Sequence, residues 1–95
     1  MDNLYDYKTE QLMKAFLALR TMEECEDFFN DLCTQKEILA FAQRLEVARL
    51  LLNGHTYEEI EELTYATYKT ISRVRKVLHN QHLKCILNRI NSSAQ

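Results

Sequence analysis

The chain has 95 residues, with one glycine, no proline and 46% hydrophobic residues. This composition excludes a disordered chain and a sheet-rich fold, and it predicts a mostly helical single domain over residues 1–95. The three cysteines lack the spacing of a disulfide framework or a zinc ribbon, so we expect free thiols in a reducing compartment. No apolar stretch is long enough to span a bilayer, and the N-terminus does not resemble a signal peptide, so we expect a cytoplasmic protein.

The charges are distributed unevenly along the chain, which the net charge of −2 conceals. Residues 1–62 hold all 14 acidic residues and 6 basic ones, whereas residues 63–95 hold the other 6 basic residues and no acidic one. The two parts therefore carry net charges of −8 and +6. A randomly uneven solvated surface is one explanation. We favour a focused basic face, because the basic run coincides with the helical pattern described below.

Three segments match the capping-box pattern and each predicts the start of a helix: Thr21–Glu24, Thr34–Glu37 and Thr56–Glu59. Asn53-Gly54 predicts a helix end, because glycine takes the left-handed conformation without a Cβ clash. With the apolar spacing, these signals predict an all-α chain of about six short helices. They cover roughly Tyr7–Arg20, Met22–Leu32, Gln35–Leu52, Tyr57–Leu63, Tyr68–Asn80 and a last helix from about Gln81, with a frayed tail from Asn91.

Each predicted helix has an apolar stripe expected to face inward. These stripes include Leu32 in the second helix, Leu63 in the fourth, and Leu83, Ile86, Leu87 and Ile90 in the last. The third helix is apolar over most of its girth, so it must be covered on several sides. A partner subunit is the cover we favour, which predicts a homodimer. The alternative is a central helix wrapped by its own neighbours.

The segment Thr56–Leu78 predicts two short helices joined by a tight turn, which is the layout of a helix-turn-helix. The apolar residues of the second helix point one way. Its polar and basic residues share another face, made of Lys69, Ser72, Arg73 and Lys76. In this motif the second helix lies in the major groove of DNA. The sequence therefore predicts a helix-turn-helix over about residues 57–80.

The predicted DNA contacts follow from position on the second helix. Base-edge or nearby phosphate contacts are expected from Lys69, Ser72 and Arg73. Contacts to the DNA backbone are expected from Thr67, Tyr68, Thr70 and Lys76, since a helix N-terminus attracts phosphate. Each has a plainer alternative: Tyr68 as a packing residue, Lys76 as a solvated lysine, and Arg73 paired with an acid of the N-terminal half.

Two residues depart from the usual motif. Tyr65 stands at the turn position, where glycine is usual because positive φ is costly for other residues. Glu61 stands where a small residue commonly lets the two helices approach. Either the turn is opened or strain is tolerated. These departures favour an alternative function, a non-enzymatic helical module whose degenerate helix-turn-helix binds a protein partner.

The sequence resembles the Trp repressor superfamily, and within it the small TrpR-like bacterial proteins of the YerC/YecD type. The resemblance rests on Thr34–Glu37, Gln43–Gly54, Tyr57–Ile60 and Thr70–Arg73. It implies an all-helical, intertwined homodimer with two helix-turn-helix units. It also implies a DNA-binding transcriptional regulator, for which a twofold axis predicts a near-palindromic operator.

The resemblance also bears on an effector. Arg44 and Arg73 match the two arginines that hold the corepressor in the Trp repressor. Val74 and Val77 replace a glycine and a serine of that pocket, so we expect branched side chains to fill the space and tryptophan not to bind. We regard the four residues as a ligand-pocket remnant. No metal site is expected, because His79, His82 and Cys85 drift around a helix and no fourth ligand is apparent. No cofactor or enzymatic activity is expected either, because the sequence has no glycine-rich phosphate loop and its acids at 58, 59, 61 and 62 fit a helix start and a solvated face.

Overall fold

The computed structural model describes residues 6–93, in which every regular element is helical and no strand occurs. The elements are α1 (Tyr7–Ala18), α2 (Met22–Leu32), α3 (Gln35–Leu52), α4 (Tyr57–Thr64), α5 (Tyr68–Val77), a 3-10 turn (Leu78–Asn80) and α6 (His82–Ser93). The predicted all-α fold with six helices is confirmed. The chain forms two compact units, the first up to Gln35 and the second from Lys36 onward. A single domain over the whole chain stays a prediction.

Both helices of the first unit begin at a side-chain cap. The Asp6 carboxylate accepts from the Thr9 amide at 2.9 Å, and this hydrogen bond lowers the pKa of Asp6 below its usual value. The Thr21 hydroxyl accepts from the Glu24 amide at 3.0 Å. The Glu24 carboxylate accepts from the Arg20 amide at 2.8 Å. The predicted box thus starts α2, with its glutamate reaching one residue beyond the cap.

An aromatic cluster joins α1 and α2. The ring of Phe16 lies 5.8 Å from the rings of Phe28 and Phe29, and the latter two are 5.5 Å apart. The inward position predicted for Leu32 is wrong, since it is 59% exposed. Leu32 is the last residue of α2, where the chain turns into an extended segment. α1 likewise ends at Ala18, two residues before the predicted end, because the chain is extended from Leu19.

The core of the second unit lies where its four helices meet. Its buried residues come from α3, α4, the α4–α5 turn, α5 and α6: Val47, Ala48, Leu50, Ile60, Ala66, Ile71, Val74 and Leu87. The inward position predicted for Leu63 is wrong, because it is 61% exposed. Ile60 takes the inward direction of this short helix, and Leu63 lies on its flank.

The end of α5 differs from the prediction. The helix was expected to continue to Asn80, but it ends at Val77 and its last turn tightens into the 3-10 turn. Gln81 then takes the left-handed conformation, with φ of 72°. This left-handed residue separates α5 from α6, although the sequence predicts that α6 follows α5 almost without a break.

The last helix is longer and less buried than expected. It continues to Ser93, so the predicted fraying from Asn91 is wrong as far as Ser93, and Ala94 and Gln95 lie outside the described residues. Of its apolar stripe, Leu87 is buried, whereas Ile86 and Ile90 are exposed. Among residues 6–93, no helix combines the length and apolarity needed to cross a membrane.

Candidate nucleic-acid interface

The segment that leads into the candidate interface is fixed by two local signals. Gly54, with φ of 88°, follows α3 in the left-handed conformation. The Thr56 hydroxyl accepts from the Glu59 amide at 3.1 Å, and the Glu59 carboxylate accepts from the Thr56 amide at 2.9 Å. This is a complete capping box, so the predicted start of α4 is confirmed.

The connection between α4 and α5 contains the unusual turn residue. Tyr65 has φ of 61° and ψ of 15°, and its amide donates to the carbonyl oxygen of Glu61 at 2.9 Å. The turn therefore keeps the left-handed geometry that glycine usually supplies, and the tyrosine tolerates the strain. The Tyr65 side chain is 88% exposed. No burial of the ring compensates for the backbone conformation.

Neighbouring hydrogen bonds hold this turn in place. The Thr64 hydroxyl donates to the carbonyl oxygen of Ile60 at 2.7 Å and accepts from the Ala66 amide at 3.1 Å. The Gln43 carboxamide of α3 donates to the carbonyl oxygen of Thr64 at 3.0 Å. The last carbonyl groups of a helix lack partners within it, so the Gln43 bond satisfies the carbonyl group of Thr64 at the end of α4. Together these bonds constrain the turn.

The start of α5 agrees with the sequence analysis. The Thr67 hydroxyl accepts from the Thr70 amide at 3.2 Å and donates to the Thr70 hydroxyl at 3.3 Å. Thr67 is therefore the N-cap of α5. The next two residues, Tyr68 and Lys69, are exposed in the first turn.

The two faces of α5 differ sharply in burial. Ile71 is fully buried and Val74 nearly so. The opposite face holds three exposed basic residues and one half-buried serine, namely Lys69, Arg73, Lys76 and Ser72. Within residues 36–93, none of the three basic side chains lies within ion-pair distance of a carboxylate. The alternative of an acidic partner for Arg73 therefore finds none within the second unit.

An aromatic and basic cluster, which the sequence analysis missed, flanks this face. The rings of Tyr57 and Tyr68 are 5.1 Å apart, and the guanidinium of Arg75 lies 6.0 Å from the Tyr57 ring centre. Tyr68 thus packs against another ring and is still exposed. A weak signal was available, because Tyr57 and Tyr68 are each the first residue of their helix.

The predicted ligand-pocket residues do come together. A cavity of about 310 Å³ is lined by Phe41, Arg44, Leu45, Arg73, Val74, Val77 and Leu83. The guanidinium of Arg44 lies 5.1 Å from the Phe41 ring centre. That the two valines leave no room for an indole ring stays a prediction. Val74 belongs to the buried core and Val77 stays 44% exposed, so their methyl groups form part of the cavity wall.

Comparison with known proteins identifies the family. The family model described as Trp repressor protein matches residues 8–91, which is most of the chain. The chain belongs to the Trp repressor family. Trp repressor proteins are DNA-binding regulators, not enzymes, and the resemblance carried by residues 34–78 is confirmed.

Relatives from bacteria agree with this membership. The uncharacterized protein YerC of Bacillus subtilis (strain 168) is 44% identical over 95 residues, covering 98% of this chain and 91% of YerC. A crystal structure of a candidate Trp repressor from Staphylococcus aureus has a TM-score of 0.89 at 41% identity, covering 95% of this chain and 92% of that one. A TrpR-like protein from Eubacterium eligens ATCC 27750 has a TM-score of 0.90 at 39% identity, covering 96% of each chain.

Proposed function

We propose that this Trp repressor family member is a sequence-specific transcriptional regulator that acts in the cytoplasm as a homodimer. Its α4 and α5 form the helix-turn-helix, and α5 enters the major groove of DNA. One observation carries the proposal. The exposed face of α5 bears three basic side chains without an acidic partner among residues 36–93, opposite a face that is buried in the core.

The charge at the start of α5 supports a phosphate partner. The first turn of α5 contains Lys69 and no acidic residue. A cation there is unfavourable, because the N-terminal end of a helix carries partial positive charge. A nearby DNA phosphate reverses that balance, since the helix N-terminus and the lysine both attract it. α4 shows the usual arrangement, with Glu58 and Glu59 in its first turn.

The residue roles follow from this placement. We assign base edges and nearby phosphates to Lys69, Ser72 and Arg73, which share the exposed face of α5. We assign the DNA backbone to Thr67, Tyr68, Thr70 and Lys76. Base contacts choose the sequence, whereas phosphate contacts add affinity to every sequence. Binding should therefore fall steeply with salt, because each neutralised phosphate releases counterions.

The homodimer is supported by the surface of α3. Several of its large apolar residues are exposed in a single chain: Leu39, Phe41, Leu45 and Leu52. Exposed apolar area of this kind is typical of a subunit interface. Two recognition helices related by a twofold axis would read a near-palindromic operator, with half-sites about 34 Å apart.

One feature favours a second candidate function, a non-enzymatic module that binds a protein partner. An open groove between α3 and α4 is lined by Leu39, Ala42, Gln43, Glu46, Leu63, Thr64 and Tyr65. Leu39, Leu63 and Tyr65 are among the most exposed apolar or aromatic side chains of the second unit. A strained and exposed tyrosine is more common at functional sites than elsewhere.

A DNA-retention assay separates the two functions. The full chain is passed over immobilised random-sequence duplex DNA at low and at moderate salt. The regulator predicts retention at low salt that is lost as salt increases, because nonspecific binding is electrostatic. No salt-sensitive retention would favour the protein-partner function. Selection of bound duplexes from a random pool then gives the operator.

A further inference from the structure

A second cavity lies beside α5, between its C-terminal half and the turn after α3. Its volume is about 490 Å³, and its lining residues are Leu51, Gly54, His55, Arg75, Leu78 and His79. Among the described residues, one guanidinium and two imidazoles line this space, and no carboxylate does. None of the seven residues around the Arg44–Arg73 cavity belongs to it. The two cavities are therefore separate.

Arg75 supplies a fixed positive charge at this cavity. Its guanidinium lies 6.0 Å from the centre of the Tyr57 ring. Among residues 36–93 it has no ion-pair partner. A guanidinium keeps its charge at every physiological pH and presents several N–H donors in one plane, which suits the oxygen atoms of a phosphate group.

His55 and His79 reach the cavity from two other segments. The Nδ1 atom of His55 lies 3.3 Å from the carbonyl oxygen of Leu50. A carbonyl oxygen only accepts, so this hydrogen bond requires the proton on Nδ1. The Nε2 atom of His55 then donates to an anion only when the ring is protonated. His79 extends from the 3-10 turn and is exposed.

We propose that this cavity is an oxyanion site for a phosphate group, with Arg75 as the permanent cation and the imidazoles as additional donors, His55 through Nε2 when its ring is protonated. The phosphate has two sources. It is either a backbone phosphate of the DNA that flanks α5, or the phosphate group of a free small molecule. The first source rests on the proposed DNA-binding function, and the second does not.

A phosphate titration tests the site itself. The isotope-labelled full chain is titrated with inorganic phosphate at constant ionic strength, and the ring signals of His55 and His79 are followed by NMR. Saturable shifts of both rings are expected, with affinity at least tenfold weaker in Arg75→Gln. Arg89→Gln, which removes an exposed arginine of α6, is the matched control and should bind like the native chain. Circular dichroism shows whether each variant is folded.

A DNA-binding measurement on the same variants identifies the source of the phosphate group. If a DNA phosphate occupies the site, Arg75→Gln weakens binding to random-sequence duplex and reduces the salt dependence by about one counterion. If a free ligand occupies it, Arg75→Gln leaves DNA binding unchanged while phosphate binding is lost. Arg75→Lys keeps the charge without the planar donors, and we expect intermediate phosphate affinity.

The site and the proposed function fail separately. A folded Arg75→Gln that keeps native binding to both phosphate and DNA would overturn the site, whatever the recognition helix does. The absence of any saturable phosphate shift in the native chain, with DNA binding insensitive to Arg75→Gln, would overturn it as well. Saturable, Arg75-dependent phosphate binding in a chain that does not bind DNA supports the site with a free ligand and contradicts the proposed function.

Discussion

The carboxamide of Gln43 donates a 3.0 Å hydrogen bond to the carbonyl oxygen of Thr64, although the two residues are 21 positions apart. This bond joins the middle of α3 to the last residue of α4, directly before the left-handed Tyr65. It satisfies a carbonyl group that α4 itself leaves without a partner. The direction in which α5 leaves the turn therefore depends on a contact from the central helix.

Loss of this bond should destabilise the second unit. Gln43→Met keeps a side chain of similar length without the donor, so we expect the free energy of unfolding to fall by about 1 kcal/mol. Urea unfolding followed by circular dichroism measures the change. Gln11→Met on α1 is the matched control, since Gln11 is exposed. Equal stabilities of the two variants would show that the bond contributes nothing.

The strain at Tyr65 predicts an unusual response to glycine. Tyr65→Gly removes the Cβ clash of the left-handed conformation, roughly 1–2 kcal/mol. The greater conformational entropy of glycine in the unfolded chain opposes this effect by about 0.5–1 kcal/mol. We therefore expect the free energy of unfolding to rise by about 0–1.5 kcal/mol. Tyr65→Ala, which removes the ring but keeps Cβ, should give no gain. A glycine variant less stable than the alanine variant would contradict the strain argument.

Local signals predicted most of the fold. The threonine caps and Gly54 act within a few residues. The starts of α2, α3, α4 and α5 and the end of α3 therefore follow from sequence spacing alone. The exposure of Leu63 and the 3-10 turn after Val77 depend on how helices pack, which spacing does not contain. The Gln43–Thr64 hydrogen bond could not be predicted for the same reason, because it joins two packed helices.

The candidate site was predictable to a similar degree. The exposed face of α5 follows from the helical period. The family resemblance pointed to Arg44 and Arg73 as residues of one pocket, and both line the same cavity. Arg75 was missed, because its contact with Tyr57 joins two helices. The open cavity was missed as well, since sequence alone does not show how much room two valines leave.

Tryptophan should not bind this chain, even though the cavity is open. Val74 and Val77 line the cavity where the Trp repressor has a glycine and a serine, so their branched side chains take room that the indole ring would need. No lining side chain accepts a hydrogen bond from the indole N–H. Isothermal titration calorimetry with L-tryptophan should match an L-alanine titration, with only heat of dilution. Micromolar affinity for tryptophan would refute this prediction.

The exposed apolar residues of α3 predict a stable dimer. Sedimentation equilibrium of the full chain at micromolar concentration should give twice the chain mass of 11.3 kDa. Phe41→Glu places a charge on this exposed apolar surface and should shift the equilibrium toward monomer. Lys36→Glu, at an exposed polar position of the same helix, is the matched control and should stay dimeric. A native chain that sediments as a monomer would contradict the homodimer.

The affinity of the chain for its selected duplex, measured by fluorescence anisotropy, tests the assignment of α5 as the recognition helix most directly. Lys69→Ala and Arg73→Ala are compared with the native chain and with Lys14→Ala, an exposed α1 lysine paired with Glu10. We expect at least fivefold weaker binding for each α5 variant, consistent with about 1–3 kcal/mol for a base contact, and native affinity for the control. Native affinity in both α5 variants would contradict this assignment.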